Sequence, residues 1–156
     1  MVKGIDIMTI TVTALSPEDR DSWEQLYRGY AEFYQMPMTP QTLERVWSWI
    51  QVPSPRLYAL IAKNEAGDAV GLMHYREMIS PLRGVSVGFL DDLFVLPTHR
   101  GSGVADLLFD HLHQAAKQQG WPTVRWITAD NNYRGRAVYD RLADKTQWLT
   151  YQMAVT

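Results

Sequence analysis

The 156-residue sequence contains no cysteine. That absence excludes disulfides, zinc–thiolate and iron–sulfur centres, and any reaction that parks a group on a protein thiol. There is no excess of one charge either. Fifteen Lys and Arg against seventeen Asp and Glu leave a net charge of −2, too little to mark a surface for nucleic acid or an anionic membrane. No apolar run approaches the roughly 20 residues that a membrane span requires. The opening Met1-Val2-Lys3-Gly4-Ile5-Asp6-Ile7-Met8 lacks the apolar stretch of a secretory signal, so a cytoplasmic location is the expectation. Repeats, low-complexity runs and Gly/Ser linkers are also missing, and the length fits one domain. That domain is expected over residues 8–156, with residues 1–7 as an N-terminal extension.

What charge there is divides unevenly. The first 84 residues carry eight basic and ten acidic side chains, and the remainder seven of each. Residues 8–15 alternate and are β-branched (Thr9-Ile10-Thr11-Val12-Thr13), the pattern of a strand. Ser16-Pro17-Glu18-Asp19 reads as a helix start, and Trp23, Leu26, Tyr27, Tyr30 and Tyr34 recur at helical spacing behind it. A second helix opens at Thr39-Pro40 with Leu43, Val46, Trp47 and Ile50 in register. Two apolar runs joined by Lys63-Asn64-Glu65-Ala66-Gly67-Asp68 predict a hairpin, and residues 85–96 the longest strand. A helix over residues 101–119 ends at Gly120, followed by a strand at 123–128, a helix at about 132–143 and a final strand at 147–155. The predicted order is β-α-α-β-β-β-α-β-α-β, an α/β (α+β) chain with a mixed, mostly antiparallel sheet flanked by about four helices and one parallel crossover near its end.

The chemistry concentrates where the longest strand runs into glycines: Leu93-Phe94-Val95-Leu96-Pro97-Thr98-His99-Arg100-Gly101-Ser102-Gly103-Val104-Ala105-Asp106. The first N–H groups of a helix have no intrahelical acceptor, which makes its start a place for an anion. Glycines admit a phosphate close to the main chain, and Arg100 adds a fixed cation. A tight turn that needs two unusual backbone angles would also explain the glycines. A Walker loop would need Gly-Lys-Ser/Thr, which is absent, and the dinucleotide fingerprint needs a small residue where Asp106 stands. Further on, Asn132, Gly135 and Tyr139 return to one stripe of a helix at 100° per residue. Glycine is a poor mid-helix residue, so close approach of a ligand is one reason for Gly135; Tyr139 could equally be a core aromatic.

Arg100-x-x-Gly103-x-Ala105, followed by Asn132-x-x-Gly135-x-x-x-Tyr139, resembles the two signatures of the GNAT acetyltransferase superfamily, and the element order from Met8 onward is similar to its fold. The resemblance implies that acetyl-CoA lies along Leu93, Phe94 and Val95, with its pyrophosphate on Arg100, Gly101, Ser102, Gly103, Val104, Ala105 and Asp106. It further implies coenzyme contacts from Asn132, Gly135 and Tyr139, with Tyr139 as the general acid. A phenol of pKa near 10 is protonated at neutral pH and can serve a departing thiolate. With no cysteine, direct attack of the amine in a ternary complex is the simpler route.

Strict alternation along the strand would put Phe89, Asp91, Leu93 and Val95 on one face and Leu90, Asp92 and Phe94 on the other. The resemblance then turns Asp91 to the cleft and leaves Asp92 structural. Two roles stand side by side for Asp91: base or amine ligand, or ion-pair partner of Arg76 or Arg125. Phe89-Leu90-Asp91-Asp92-Leu93-Phe94-Val95 is similar to the Leu-Glu-Asp-x-x-Val strand of diamine and polyamine acetyltransferases, with Asp91 in place of the usual Glu. The favoured acceptor is accordingly a small diamine or polyamine. An aminoglycoside, amino acid or protein amine, or a non-catalytic acyl-CoA sensor, are the alternatives. Tyr27 and Glu32, within an aromatic first helix, are the candidate acceptor ligands beside Asp91. No metal site is expected: His111 and His113 point about 200° apart on a helix, His99 lies in a turn, and His74 belongs at the core edge. The aromatic Trp148-Leu149-Thr150-Tyr151 offers an edge for a homodimer.

Overall fold

A computed structural model describes residues 9–54 and 57–156. The expected extension, residues 1–7, lies outside them. The chain divides into two compact units, Met1–Trp126 and Ile127–Thr156.

In the first unit, β1 (Thr11–Ala14), β2 (Tyr58–Lys63), β3 (Ala69–Ser80), β4 (Val85–Val95) and β5 (Val124–Arg125) form one sheet in that spatial order. The first four pair antiparallel, and β4 pairs parallel with β5. The parallel pair is the expected crossover, carried by α3 (Val104–Gln119).

Between β1 and β2 run α1 (Arg20–Phe33) and α2 (Pro40–Gln51). Ser16 and Pro17 open a short 3-10 turn, Pro17–Asp19, before α1, and the Asp19 carboxylate accepts the Ser16 backbone N–H at 2.9 Å. Thr39 caps α2 by accepting the Thr42 N–H at 3.1 Å. The apolar stripes of both helices meet one face of the sheet, where Trp23, Leu26, Leu43 and Val46 pack with Ile61, Leu72 and Phe94. Each such side chain removed from water contributes about 1.5–3 kcal/mol. On the other face α3 lies so close to β3 that a Cβ on Gly71 would stand 2.9 Å from Val104 and 3.2 Å from Leu108. Gly120, at φ +77°, ends α3 as expected.

The second unit contains α4 (Tyr133–Leu142). Within the second unit by itself, the strand expected over residues 147–155 is not formed. A strand exists by pairing with a neighbour, and among the described residues of this unit there is no second strand. Trp148, Leu149, Tyr151, Met153 and Val155 are 77–93% exposed. No helix among the described residues is long and apolar enough to cross a membrane.

Candidate active site

Strict alternation along β4 fails at the two aspartates. Asp92 pairs with His74 and Leu90 with Tyr75, so Asp91 is an extra residue with no partner on β3. This is a β-bulge, which resets the side-chain parity of the strand. Tyr75 and Glu77 both reach Trp121, just beyond α3. Arg76, between them, therefore points to the face that bears α1, where its guanidinium lies 5.0 Å from the Phe89 ring. Arg76 Nε donates to both Asp91 oxygens at 2.9 and 3.1 Å. Asp91 and Asp92 thus share one face, contrary to the expectation that they would oppose each other. Of the two arginines considered for Asp91, the partner is Arg76.

Asp92 is the deeper of the pair. Its Oδ2 lies 2.8 Å from His74 Nδ1 and accepts the Tyr27 hydroxyl at 3.0 Å. The Tyr30 ring lies 5.8 Å from that of Tyr27, and its hydroxyl feels the charge of the same carboxylate. Behind them the Trp23 indole N–H donates to His74 Nε2 at 2.9 Å, and the Tyr27 ring meets the imidazole edge-on at 4.7 Å. The environment moves the two carboxyls in opposite directions. Burial raises Asp91 above the usual aspartate range although the Arg76 guanidinium opposes it. Burial works the same way on Asp92, but hydrogen bonds from His74, Tyr30 and Tyr27 outweigh it and hold that carboxyl below its ordinary value. Burial, then the Asp92 charge, raises Tyr27 and Tyr30, which keeps both phenols protonated. Glu32, by contrast, is exposed on α1 and takes no part in this network.

Beyond Asp92, β4 is paired on one side. The ladder with β5 takes in Gly88 and Phe89 alone, so among the described residues Leu90 to Val95 are matched through β3 only. Within the first unit no strand pairs with Leu93 or Val95 on the side away from β3, and the Val95 carbonyl accepts from Arg100 Nε. The strand leads through the turn Pro97–His99 into Gly101 at φ +78° and Gly103 at φ +89°, with nothing within 4 Å of a Cβ placed on either. Both angles favour glycine. The first helical bond of α3 is from Leu107 N–H to Gly103 carbonyl, at 3.1 Å. The α3 start has what an anion requires, room at both glycines and the dipole end of a helix.

Three residues of this stretch do other work as well. Arg100 Nε donates to the Val95 carbonyl at 3.1 Å, and its guanidinium lies 5.1 Å from the Phe33 ring and 5.8 Å from Phe94. Val104 is buried against Gly71, so its contribution to a ligand is confined to its backbone. Ser102 Oγ donates to the His99 carbonyl and braces the turn.

In the second unit Asn132 is the N-cap of α4. Its Oδ1 accepts the Gly135 N–H at 3.2 Å and its Nδ2 donates to Thr128 Oγ1 at 2.9 Å. The close approach that requires glycine at 135 comes from Asn132 itself, whose Nδ2 would stand 2.5 Å from an added Cβ. The sequence pattern suggested a ligand there. Tyr139 follows on α4, half-buried.

Sequence reasoning named Arg76 as a partner for Asp91, but it left His74 at the core edge and set Asp92 aside. The available signal was a histidine on the strand preceding an Asp-Asp pair, which a hairpin register can bring opposite one another.

The sequence model of the Acetyltransferase (GNAT) family matches residues 23–143. The chain is 29% identical over 144 residues to the D-amino-acid N-acetyltransferase HPA3 of Saccharomyces cerevisiae, a match that covers 92% of this chain and 89% of that one. Its fold matches the ribosomal-protein-alanine N-acetyltransferase of Brucella melitensis biovar Abortus 2308 with a TM-score of 0.78 at 22% identity, over 94% and 99% of the two chains. It also matches the aminoglycoside N-acetyltransferase AAC(6')-Iy, solved in complex with CoA, with a TM-score of 0.80 at 18% identity, over 94% and 95%. The chain belongs to the GNAT acetyltransferase family. It is an acetyl-CoA-dependent N-acetyltransferase.

Proposed function

We propose that the chain transfers acetyl to the primary amine of a small diamine or polyamine by direct attack in a ternary complex, and that residues 8–156 are the acetyltransferase domain. The observation that carries the coenzyme site is the one-sided β4 edge running into the open Gly101 and Gly103. Leu93, Phe94 and Val95 would hold the pantetheine arm through their backbones. The main chain from Gly101 to Asp106, with Arg100, would take the pyrophosphate. Asn132 and Gly135 serve the same ligand by fixing where α4 starts, and so where Tyr139 stands.

The acceptor arrives as an ammonium, and removing its proton at pH 7 costs about 4 to 5 kcal/mol for a pKa near 10.4. Asp91, raised by burial, is the more basic of the two aspartates and takes that proton through water. The amine nitrogen bonds the thioester carbon, the carbon–sulfur bond breaks, Tyr139 gives its phenolic proton to the leaving thiolate, and the second proton of the attacking nitrogen passes through water to the Tyr139 phenolate, leaving the neutral amide. Tyr27 and Glu32 stand on the acceptor's approach along α1. The favoured acceptor is supported by the Leu90-Asp91-Asp92 strand and the aromatic acidic cluster. A D-amino acid is the second reading, supported by the Saccharomyces relative. The exposed Trp148, Leu149 and Tyr151 support a homodimer paired through the C-terminal segment.

Calorimetric titration with acetyl-CoA, then a thiol-release assay over diamines, polyamines, D- and L-amino acids, aminoglycosides and peptide N-termini, tests this. Binding followed by turnover of a diamine or polyamine is the expected result. Preference for D-amino acids moves the acceptor to the second reading, and binding without turnover of any amine overturns the proposal in favour of a sensor.

A further inference from the structure

Trp23 and His74 are both 0% exposed, so neither touches acetyl-CoA or an acceptor. Their hydrogen bonds nevertheless fix a proton. An indole N–H only donates, so His74 Nε2, 2.9 Å from Trp23 Nε1, is the bare acceptor nitrogen. The ring proton therefore sits on Nδ1 and is donated to Asp92 Oδ2 at 2.8 Å. An ionised carboxylate only accepts. Tyr27, 3.0 Å from the same oxygen, must therefore spend its single hydroxyl proton on Asp92. What remains on the Tyr27 oxygen is acceptor capacity turned away from the carboxylate. Among the described residues no buried side-chain nitrogen or oxygen lacks a partner, so the network is complete without a further group.

This chain of bonds ends beside the proposed base, since Asp92 follows Asp91 on the same face of β4. Tyr30 also lies 4.8 Å from the Tyr34 ring and 6.3 Å, edge-on, from Phe94. A phenol oxygen backed by a fixed negative charge and flanked by aromatic faces suits an alkylammonium.

We infer that Trp23 and His74 are positioning residues for the amine acceptor: through one fixed tautomer they hold Asp92 as the acceptor of the Tyr27 hydroxyl. The outward lone pair of that phenol, beside the Tyr30 ring, then seats an N–H donor of a cationic amine. The seat rests on the transferase reading for its ligand; the tautomer rests on the hydrogen bonds alone.

Long-range 1H–15N spectra of the wild-type protein test the tautomer directly. The pattern of an Nδ1-protonated ring is expected for His74, and an Nε2-protonated ring overturns the inference. His74→Phe removes the donor to Asp92, whereas His74→Asn restores an amide donor where Nδ1 stood. His74→Phe should raise KM for the best amine about tenfold or more, with KM for acetyl-CoA unchanged, and His74→Asn should recover most of the loss. A parallel rise in both KM values, a fall in kcat alone, or no recovery with His74→Asn shows a merely structural network and overturns it. Should His74→Phe fail to fold, titration of the wild type decides: saturating amine should move the His74 Nδ1 resonance, and an unmoved resonance overturns the seat. A chain that binds no amine at all defeats the transferase reading and the seat together, while the spectra still report the tautomer separately.

Discussion

The Nδ2 of Asn132 lies where it would stand 2.5 Å from a Cβ on residue 135, so Asn132 and Gly135 are one unit, a cap and the space it requires. In an ordinary helix Gly→Ala stabilises by about 1 kcal/mol. Here Gly135→Ala displaces the cap and loses about as much again as the propensity gains, so the single substitution is expected to be neutral or destabilising. In an Asn132→Ala background, Gly135→Ala should stabilise. Thermal unfolding of the four proteins in that cycle gives the sign, and stabilisation by Gly135→Ala in the wild-type background would contradict the pairing.

Gly103→Ala places a side chain at φ +89°, a conformation that costs on the order of 1–3 kcal/mol for a residue with a Cβ. The backbone at the α3 start should relax away from that angle. Weaker acetyl-CoA binding by calorimetry is expected, together with a melting temperature lower by a few degrees; unchanged affinity would remove Gly103 from the coenzyme site.

The proposed proton-transfer roles separate from binding in Tyr139→Phe and Asp91→Asn. Each should lower kcat by roughly 100-fold or more, the usual worth of a general acid or base. Acetyl-CoA affinity should stay within about twofold, since neither substitution removes backbone contacts. Full turnover in both variants would sink the mechanism. Asp91→Asn should also flatten the acid limb of the kcat/KM profile. In the wild type that limb should lie above the usual aspartate value, because burial raises the carboxyl.

Asp19, buried beside Lys63 at 2.6 Å and bonded by the Ser16 N–H, is held below its ordinary value, those bonds outweighing the opposing effect of burial. A depressed carboxyl stabilises the fold above its unfolded pKa of about 3.9, and that contribution is lost as pH falls through the lower folded value. Asp19→Asn should therefore cost about 1–2 kcal/mol at pH 7, and the two stabilities should converge below about pH 4. Denaturant unfolding at both pH values checks the convergence.

The loop from Arg100 to Asp106 was legible because its information is local. Gly101 and Gly103 carry their backbone angles in their identity, and α3 announces itself by its stripe. The same holds for the Ser16, Thr39 and Gly120 boundaries. Asp91 and Asp92 were misread because periodicity assumes one residue per step, and a bulge is set by pairing with β3, which no window along β4 contains. His74 was expected at the core edge for a similar reason: its two partners, Trp23 and Asp92, lie 51 and 18 residues away. Gly135 shows a different limit. The pattern signalled crowding, and only coordinates could say that Asn132 is the neighbour. The strand expected at residues 147–155 has every local mark of one, but a strand needs an edge, and nothing in its own sequence supplies it.

The bulge also separates what β4 needs as architecture from what it carries besides. With residue 91 removed, Leu90 and Asp92 would become consecutive, each on the face it already occupies and opposite the β3 residue it already meets. The shortened strand would be a regular ladder from end to end. Asp91 is therefore an insertion into a strand that closes without it, and a one-residue deletion there should leave the sheet intact while removing the single side chain held by Arg76.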